Sequence, residues 1–241
     1  MMPVKTVTVD FWDTIASYPF TDEIFKERVD HSFEIYKKYD IDYERSFDLM
    51  KSVYGHFEDI WHNEARTPTT PEMFRHVEKI LSFELDSEHF EELVHYNETL
   101  VTEKYFQVKP EISHSLRTLS EKYDLVIISD TGFEPGREIR NALERHGLLD
   151  CFNYGVFSDE TGFAKPDRRA FEKAAEVTGS GFSEMIHIGD REAKDIAGSR
   201  SAGMKSILFT GFRNDDEKDT TADFTASSWE QIPAILALAA K

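Results

Sequence analysis

The chain of 241 residues has a single cysteine, Cys151, so no disulfide can close within it, and a reducing compartment, the cytoplasm, is expected. Long apolar runs are also missing. No stretch approaches the roughly 20 residues that cross a bilayer. Met1-Met2-Pro3-Val4-Lys5 leads into no apolar core, so no secretory leader is expected. Positive charge is scarce: 28 Lys and Arg stand against 46 Asp and Glu, a net charge of −18. That balance argues against nucleic acid or an anionic membrane as a partner. An anionic substrate would need a metal ion or a few placed cations. Six of the nine histidines (His31, His56, His62, His76, His89 and His95) fall in one segment, but at spacings that make no zinc set. Cys151 has no activating neighbours and reads as inert.

What is present begins with Val4–Val9, a β-branched run that stops on Asp10. Trp12, Asp13 and Thr14 stand two, three and four residues further on. From Ala16 to Gln107 the apolar residues recur at helical spacing, and no strand is visible. Thr21, Asp42, Thr70-Pro71 and Ser87 read as the starts of four helices. Phe25 and Phe33 are expected on the apolar face of the first. Phe47, Tyr54, Phe57 and Trp61 are expected on that of the second, more as helical core than as a substrate platform. This segment holds 21 acidic and only ten basic side chains.

From Pro110 the texture changes to alternation. Helices are expected from Pro110, Pro135, Asp167, Glu192 and Trp229, the last running to Ala240. Strands are expected at Leu125–Ile128, Tyr154–Phe157, Met185–Ile188, Ser206–Phe209 and around Phe224. Such alternation implies a parallel sheet with helices on both faces. The expected fold class is therefore α/β: a Rossmannoid core of residues 1–15 and 108–241, interrupted by a helical cap of residues 16–107. Arg213 to Thr221 reads as an exposed polar loop.

Three strands end in polar residues: Asp10, Ser129-Asp130 and Gly189-Asp190. In a parallel sheet these ends share one edge, where ligands bind. Lys165-Pro166 lies in a loop between the last two. In order and spacing this set resembles the haloacid dehalogenase (HAD) superfamily. Asp10 and Thr14 fit its first motif, Ser129 the second, Lys165 the third, and Asp190 with Asp195 the fourth. The insertion resembles the α-helical cap of subclass I.

The resemblance implies a hydrolase in which Asp10 is the nucleophile and forms an acyl intermediate. It implies Mg²⁺ held by Asp10, Asp190, the main-chain carbonyl of Trp12, and Asp195 as an outer or alternate ligand. Ser129, Asp130 and the amides of Thr131 and Gly132 would hold a small phosphorylated metabolite, and Lys165 would neutralise Asp10 and the phosphoryl group.

The departure lies at Trp12, where phosphatases of this superfamily carry a second Asp that acts as general acid and base. Asp13 is one residue off that register and is expected to point elsewhere. Dehalogenases of the superfamily carry an aromatic residue at this position, but lack the metal-type acidic pair. Three readings stay open: a Mg²⁺-dependent phosphatase, a dehalogenase acting at carbon, and a catalytically weak binding member. Arg28, Arg66 and Arg75 are the cap cations that could grip an anion.

Overall fold

The computed structural model describes residues 3–17 and 21–239. The chain opens with β1 (Thr6–Val9), then four helices: α1 (Asp22–Tyr36), α2 (Tyr43–Asn63), α3 (Thr70–Leu81) and α4 (Ser87–Leu100). Alternation follows: α5 (Pro110–Ser120), β2 (Asp124–Ser129), α6 (Gly136–Arg145), β3 (Tyr154–Phe157), the short α7 (Ser158–Thr161) and α8 (Arg168–Thr178). It continues through β4 (Met185–Gly189), α9 (Ala197–Ala202), β5 (Lys205–Phe209), β6 (Phe224–Ala226) and α10 (Ile232–Ala239). Among the described residues no helix is long and apolar enough to cross a membrane.

The six strands form one parallel sheet in the order β3-β2-β1-β4-β5-β6. All four residues of β1 are buried, as a central parallel strand requires when both faces are covered. Val7 and Val9 face one core with Ile112, Leu116, Ile139 and Leu236. Val126 and Ile128 of β2 face the other, against Phe171 and Ala174 of α8.

Three of the four cap helices begin where short polar side chains satisfy their first amides. Thr21 accepts from the Ile24 amide at 3.2 Å, and Asp42 from the Arg45 amide at 2.8 Å. The third start differs from expectation by one residue. Thr69, not Thr70, caps α3, because it forms a reciprocal capping box with Glu72. Leu49, Met50, Val53, Met73, Phe74 and Leu93 build a separate cap core.

Two cap expectations are corrected. Phe33 is half-buried, and Arg28 and Ser32 occupy the inner face of α1 instead. Phe47 is 36% exposed and packs edge-on to Phe25. Arg28 is fully buried because the core supplies its partners. It lies 3.8 Å from the centre of the Phe133 ring and donates to Glu134 Oε1 at 2.6 Å and to the Asn97 carbonyl at 2.9 Å. Phe133, although it follows β2, packs in the cap core.

The expected helix from Glu192 opens as a wide π turn, Glu192–Ile196, before α9. The last helix begins as a 3₁₀ turn, Trp229–Gln231, and its expected end, Ala240, lies outside the described residues, as do residues 18–20 of the expected cap segment.

Candidate active site

β2, β1 and β4 are neighbours, so Ser129, Asp10 and Asp190 come off adjacent strand ends. From β1 the strand order runs outward in both directions, which makes its end the crevice of an open α/β sheet. Lys165 enters from the loop between α7 and α8, its amide donating to Asp130 Oδ1 at 2.8 Å. Its Nζ donates to Asp10 Oδ1 at 2.5 Å and to Asp195 Oδ1 at 2.6 Å. Thr14 Oγ1 donates to the other Asp10 oxygen at 3.2 Å.

Asp195 sits on the π turn and accepts the Arg191 amide at 3.0 Å. It can approach because residue 189 is glycine: a Cβ there would lie 2.3 Å from Asp195 Cγ. Its Oδ1 lies 3.0 Å from His187 Nε2, and His187 Nδ1 lies 2.8 Å from Thr8 Oγ1. Burial pushes His187 down, against the pull of Asp195, and keeps it neutral. The Nε2–H tautomer satisfies Asp195 and leaves Nδ1 to accept from Thr8.

Asp10, Asp190 and Asp195 each present an oxygen within 4.8 Å of the others, and all three are buried. Burial raises Asp10 well above the usual carboxylate range, with Lys165 opposing. Burial, then the charge of Asp195, pushes Asp190 up to about 7. Burial works against the charge of Asp195 too, but Lys165 and His187 hold it below the ordinary value. Lys165 pays for its burial yet stays firmly protonated, because Asp10, Asp195 and Asp130 face it. Three crowded hard oxygens, two of them on carboxylates driven toward protonation, suit a hard divalent cation.

The cluster floors a cavity of about 450 Å³. Tyr54, Phe57 and Trp61 of α2 wall it, so these three are not simply helical core as expected. Trp61 Nε1 donates to Asp130 Oδ2 at 2.8 Å, and Lys194 Nζ to the Trp61 carbonyl at 3.1 Å. Trp12 also lines the cavity, its ring edge-on to Phe11 and Phe106. Asp13 is corrected: it lies on the cavity wall, because its φ of 56° re-aims the chain into a left-handed turn closed by its amide on the Ala16 carbonyl.

Of the expected anion-binding group, Asp130 and Gly132 line the cavity and Ser129 and Thr131 do not. Ser129 Oγ is turned to the Asp130 carbonyl at 3.4 Å. The Thr131 amide already donates to Ser158 Oγ at 2.8 Å, so it is not the expected phosphate donor.

The cap arginines are engaged elsewhere: Arg28 with Glu134, Arg66 with Glu64, Arg75 with Glu78. The cations on the cavity wall are Lys165, Arg191 and Lys194. Arg213, expected in an exposed loop, donates to the Asp190 carbonyl at 2.8 Å and lies 3.3 Å from its Oδ2. His187 was not among the expected site residues; the signal that could have marked it is a lone polar ring in the apolar strand Met185–Ile188.

A family model described as haloacid dehalogenase-like hydrolase matches residues 4–203. The chain belongs to that family. Among curated relatives, pyrimidine 5'-nucleotidase YjjG of Escherichia coli (strain K12) is 31% identical over 110 residues, 45% of this chain and 48% of that one. The glyceraldehyde 3-phosphate phosphatase of Methanothermobacter thermautotrophicus is 36% identical over 77 residues, 32% of this chain and 34% of that one. The chain thus spans less than half the length of either relative.

Two solved structures share the fold of this HAD-like hydrolase. A HAD phosphatase from Thermococcus onnurineus superposes with a TM-score of 0.67 at 23% identity, over 97% of this chain and 98% of that one. A 2-haloacid dehalogenase from Pseudomonas syringae pv. Tomato DC3000 also gives 0.67, at 21% identity over 98% and 99%. The overall fold is therefore shared with both structures.

Proposed function

We propose that this HAD-like hydrolase cleaves small phosphomonoesters in the cytoplasm, with Asp10 as nucleophile and Mg²⁺ held by Asp10, Asp190, Asp195 and the Trp12 carbonyl. The observation that carries the reading is the position of Lys165 Nζ, 2.5 Å from Asp10 and 2.6 Å from Asp195, beside a third buried carboxylate. A carboxylate is a weak nucleophile, and a dianionic phosphoryl group repels it. Lys165 offsets that repulsion on Asp10 itself. Thr14 and Lys165 fix the two Asp10 oxygens, so that one attacks in line. Bound Mg²⁺ would supply charge neutralisation and polarise the phosphoryl group. Gly132, Lys194 and Arg191 line the cavity where the equatorial oxygens would lie. The aspartyl-phosphate so formed is then hydrolysed. The nucleotidase and phosphatase among the relatives support this class of substrate.

The test is phosphate release from a panel of phosphate esters with Mg²⁺, for the wild type and Asp10→Asn. The variant should lose on the order of 10⁴-fold or more in kcat. Displacement at carbon is the second reading, favoured by Trp12 alone. Halide release from 2-haloacids without metal, and no phosphate release from any ester, would establish it instead.

A further inference from the structure

We propose that the site is built for phosphoryl compounds whose leaving oxygen departs as a stable anion without being protonated: an aryl or acyl phosphate rather than an alkyl phosphate. This rests on the phosphomonoester reading above and narrows it.

The first support is the set of groups around the leaving oxygen. It must stand opposite the attacking Asp10, on the cavity side. The residue beside it on the nucleophile's own turn is Trp12, packed edge-on to Phe11 and Phe106. An indole N–H gives up no proton in water. Several of the other wall groups are committed, and Asp13 and Glu58 are tested by substitution. Asp10, Asp190 and Asp195 form the carboxylate cluster. Asp130 accepts from Trp61 Nε1 and from the Lys165 amide. Lys165 is clamped between two carboxylates, and Lys194 donates to the Trp61 carbonyl. Glu58 pairs with His62 Nε2 at 3.0 Å. A missing general acid costs roughly 10²–10⁴-fold when an alkoxide must leave, and little when the leaving group is already a weak base.

The second support is the wall itself. Trp12, Tyr54, Phe57, Trp61 and Phe133 line the cavity, so much of its surface is aromatic. Such a surface suits an aromatic ring and offers little to the hydroxyls of a sugar or triose.

The chemistry balances without an acid. An Asp10 oxygen bonds to phosphorus, the bond from phosphorus to the leaving oxygen breaks, and its electron pair departs with the aryloxide or carboxylate. Water then attacks phosphorus and the Asp10 carboxylate is regained. Both protons of that water leave on dihydrogen phosphate, which exchanges with buffer. No base helps this second step, so with a good leaving group the phospho-enzyme accumulates.

The experiment measures kcat/KM with Mg²⁺ for substituted phenyl phosphates, acetyl phosphate, and ethyl and glycerol phosphates. Rates should climb steeply as the leaving group becomes more acidic, with a burst of phenol equal to the enzyme present. Trp12→Asp should raise alkyl phosphate turnover by about 10²-fold or more and so flatten the dependence of rate on leaving-group acidity. The wild-type slope decides even if that variant fails to fold. Activity on phenyl esters with little on acetyl phosphate assigns the aryl class, and the reverse assigns the acyl class. Alkyl and aryl phosphates cleaved alike would overturn the proposal. If Asp13→Asn or Glu58→Gln then restored a steep slope, the acid would be at that residue. No phosphate release from any compound would overturn the underlying phosphomonoester reading as well.

Discussion

Asp190 is the residue at which, on the proposed reading, a proton and the metal would compete. Burial and Asp195 raise its folded pKa to about 7, above that of an unfolded aspartate. Between the two values the folded chain holds a proton that the unfolded chain has lost. This group's contribution to metal-free stability therefore falls as pH rises from the ordinary carboxylate range through 7. A divalent ion held by Asp190 would have to displace that proton, so it should bind better above pH 7. Thermal melts with and without Mg²⁺ should show a larger Mg²⁺-induced gain at pH 8 than at pH 6. At about 100-fold excess over Kd the gain is about 2.7 kcal/mol, several degrees in Tm. An equal gain at both values would show that Asp190 is not a ligand. That Asp10, Lys165 and Asp190 gather at one sheet edge was readable, because each follows an apolar strand or sits at a fixed spacing. His187 on Asp195, Trp61 on Asp130 and Arg213 on Asp190 were not, because the partners lie eight to 69 positions apart and only the fold brings them together.

At the scale of the element, α1 shows how local and distant information divide. Its start at Thr21 was legible, since a cap is settled within one turn. Its inner face was not. Helical spacing favours Phe33, but the fold buries Arg28, whose carboxylate partner is 106 residues away. Arg28 and Glu134 are both fully enclosed, so truncating one strands the other. Arg28→Ala should lose roughly 3–5 kcal/mol in urea unfolding, and the paired change Arg28→Met with Glu134→Gln should lose clearly less. Equal losses would mean that packing on Phe133, rather than the buried charge, is what the arginine supplies.

On the scale of the whole molecule, strand–helix alternation was enough to read a parallel sheet, and the interrupted α/β core was visible from where alternation resumes at Pro110. The strand order was not readable, because crossover lengths do not say on which side of β1 each strand adds. Charge acts at this scale too. With a net charge of −18 the molecule repels a phosphate dianion before the cavity cations are reached. Screening that field should raise kcat/KM as NaCl goes from low to physiological ionic strength, where the Debye length shrinks to about 8 Å. A fall would mean that the local field of Lys165, Arg191 and Lys194 governs encounter instead. The clasp of Arg28 on Phe133 and Glu134 has a last consequence for engineering. The helical layer is not a cassette. Transplanting it between relatives as one contiguous piece would bring an arginine without its glutamate and leave an aromatic side chain without its socket. A working chimera must carry positions 133 and 134 with it, and with them the loop that holds Gly132 at the cavity.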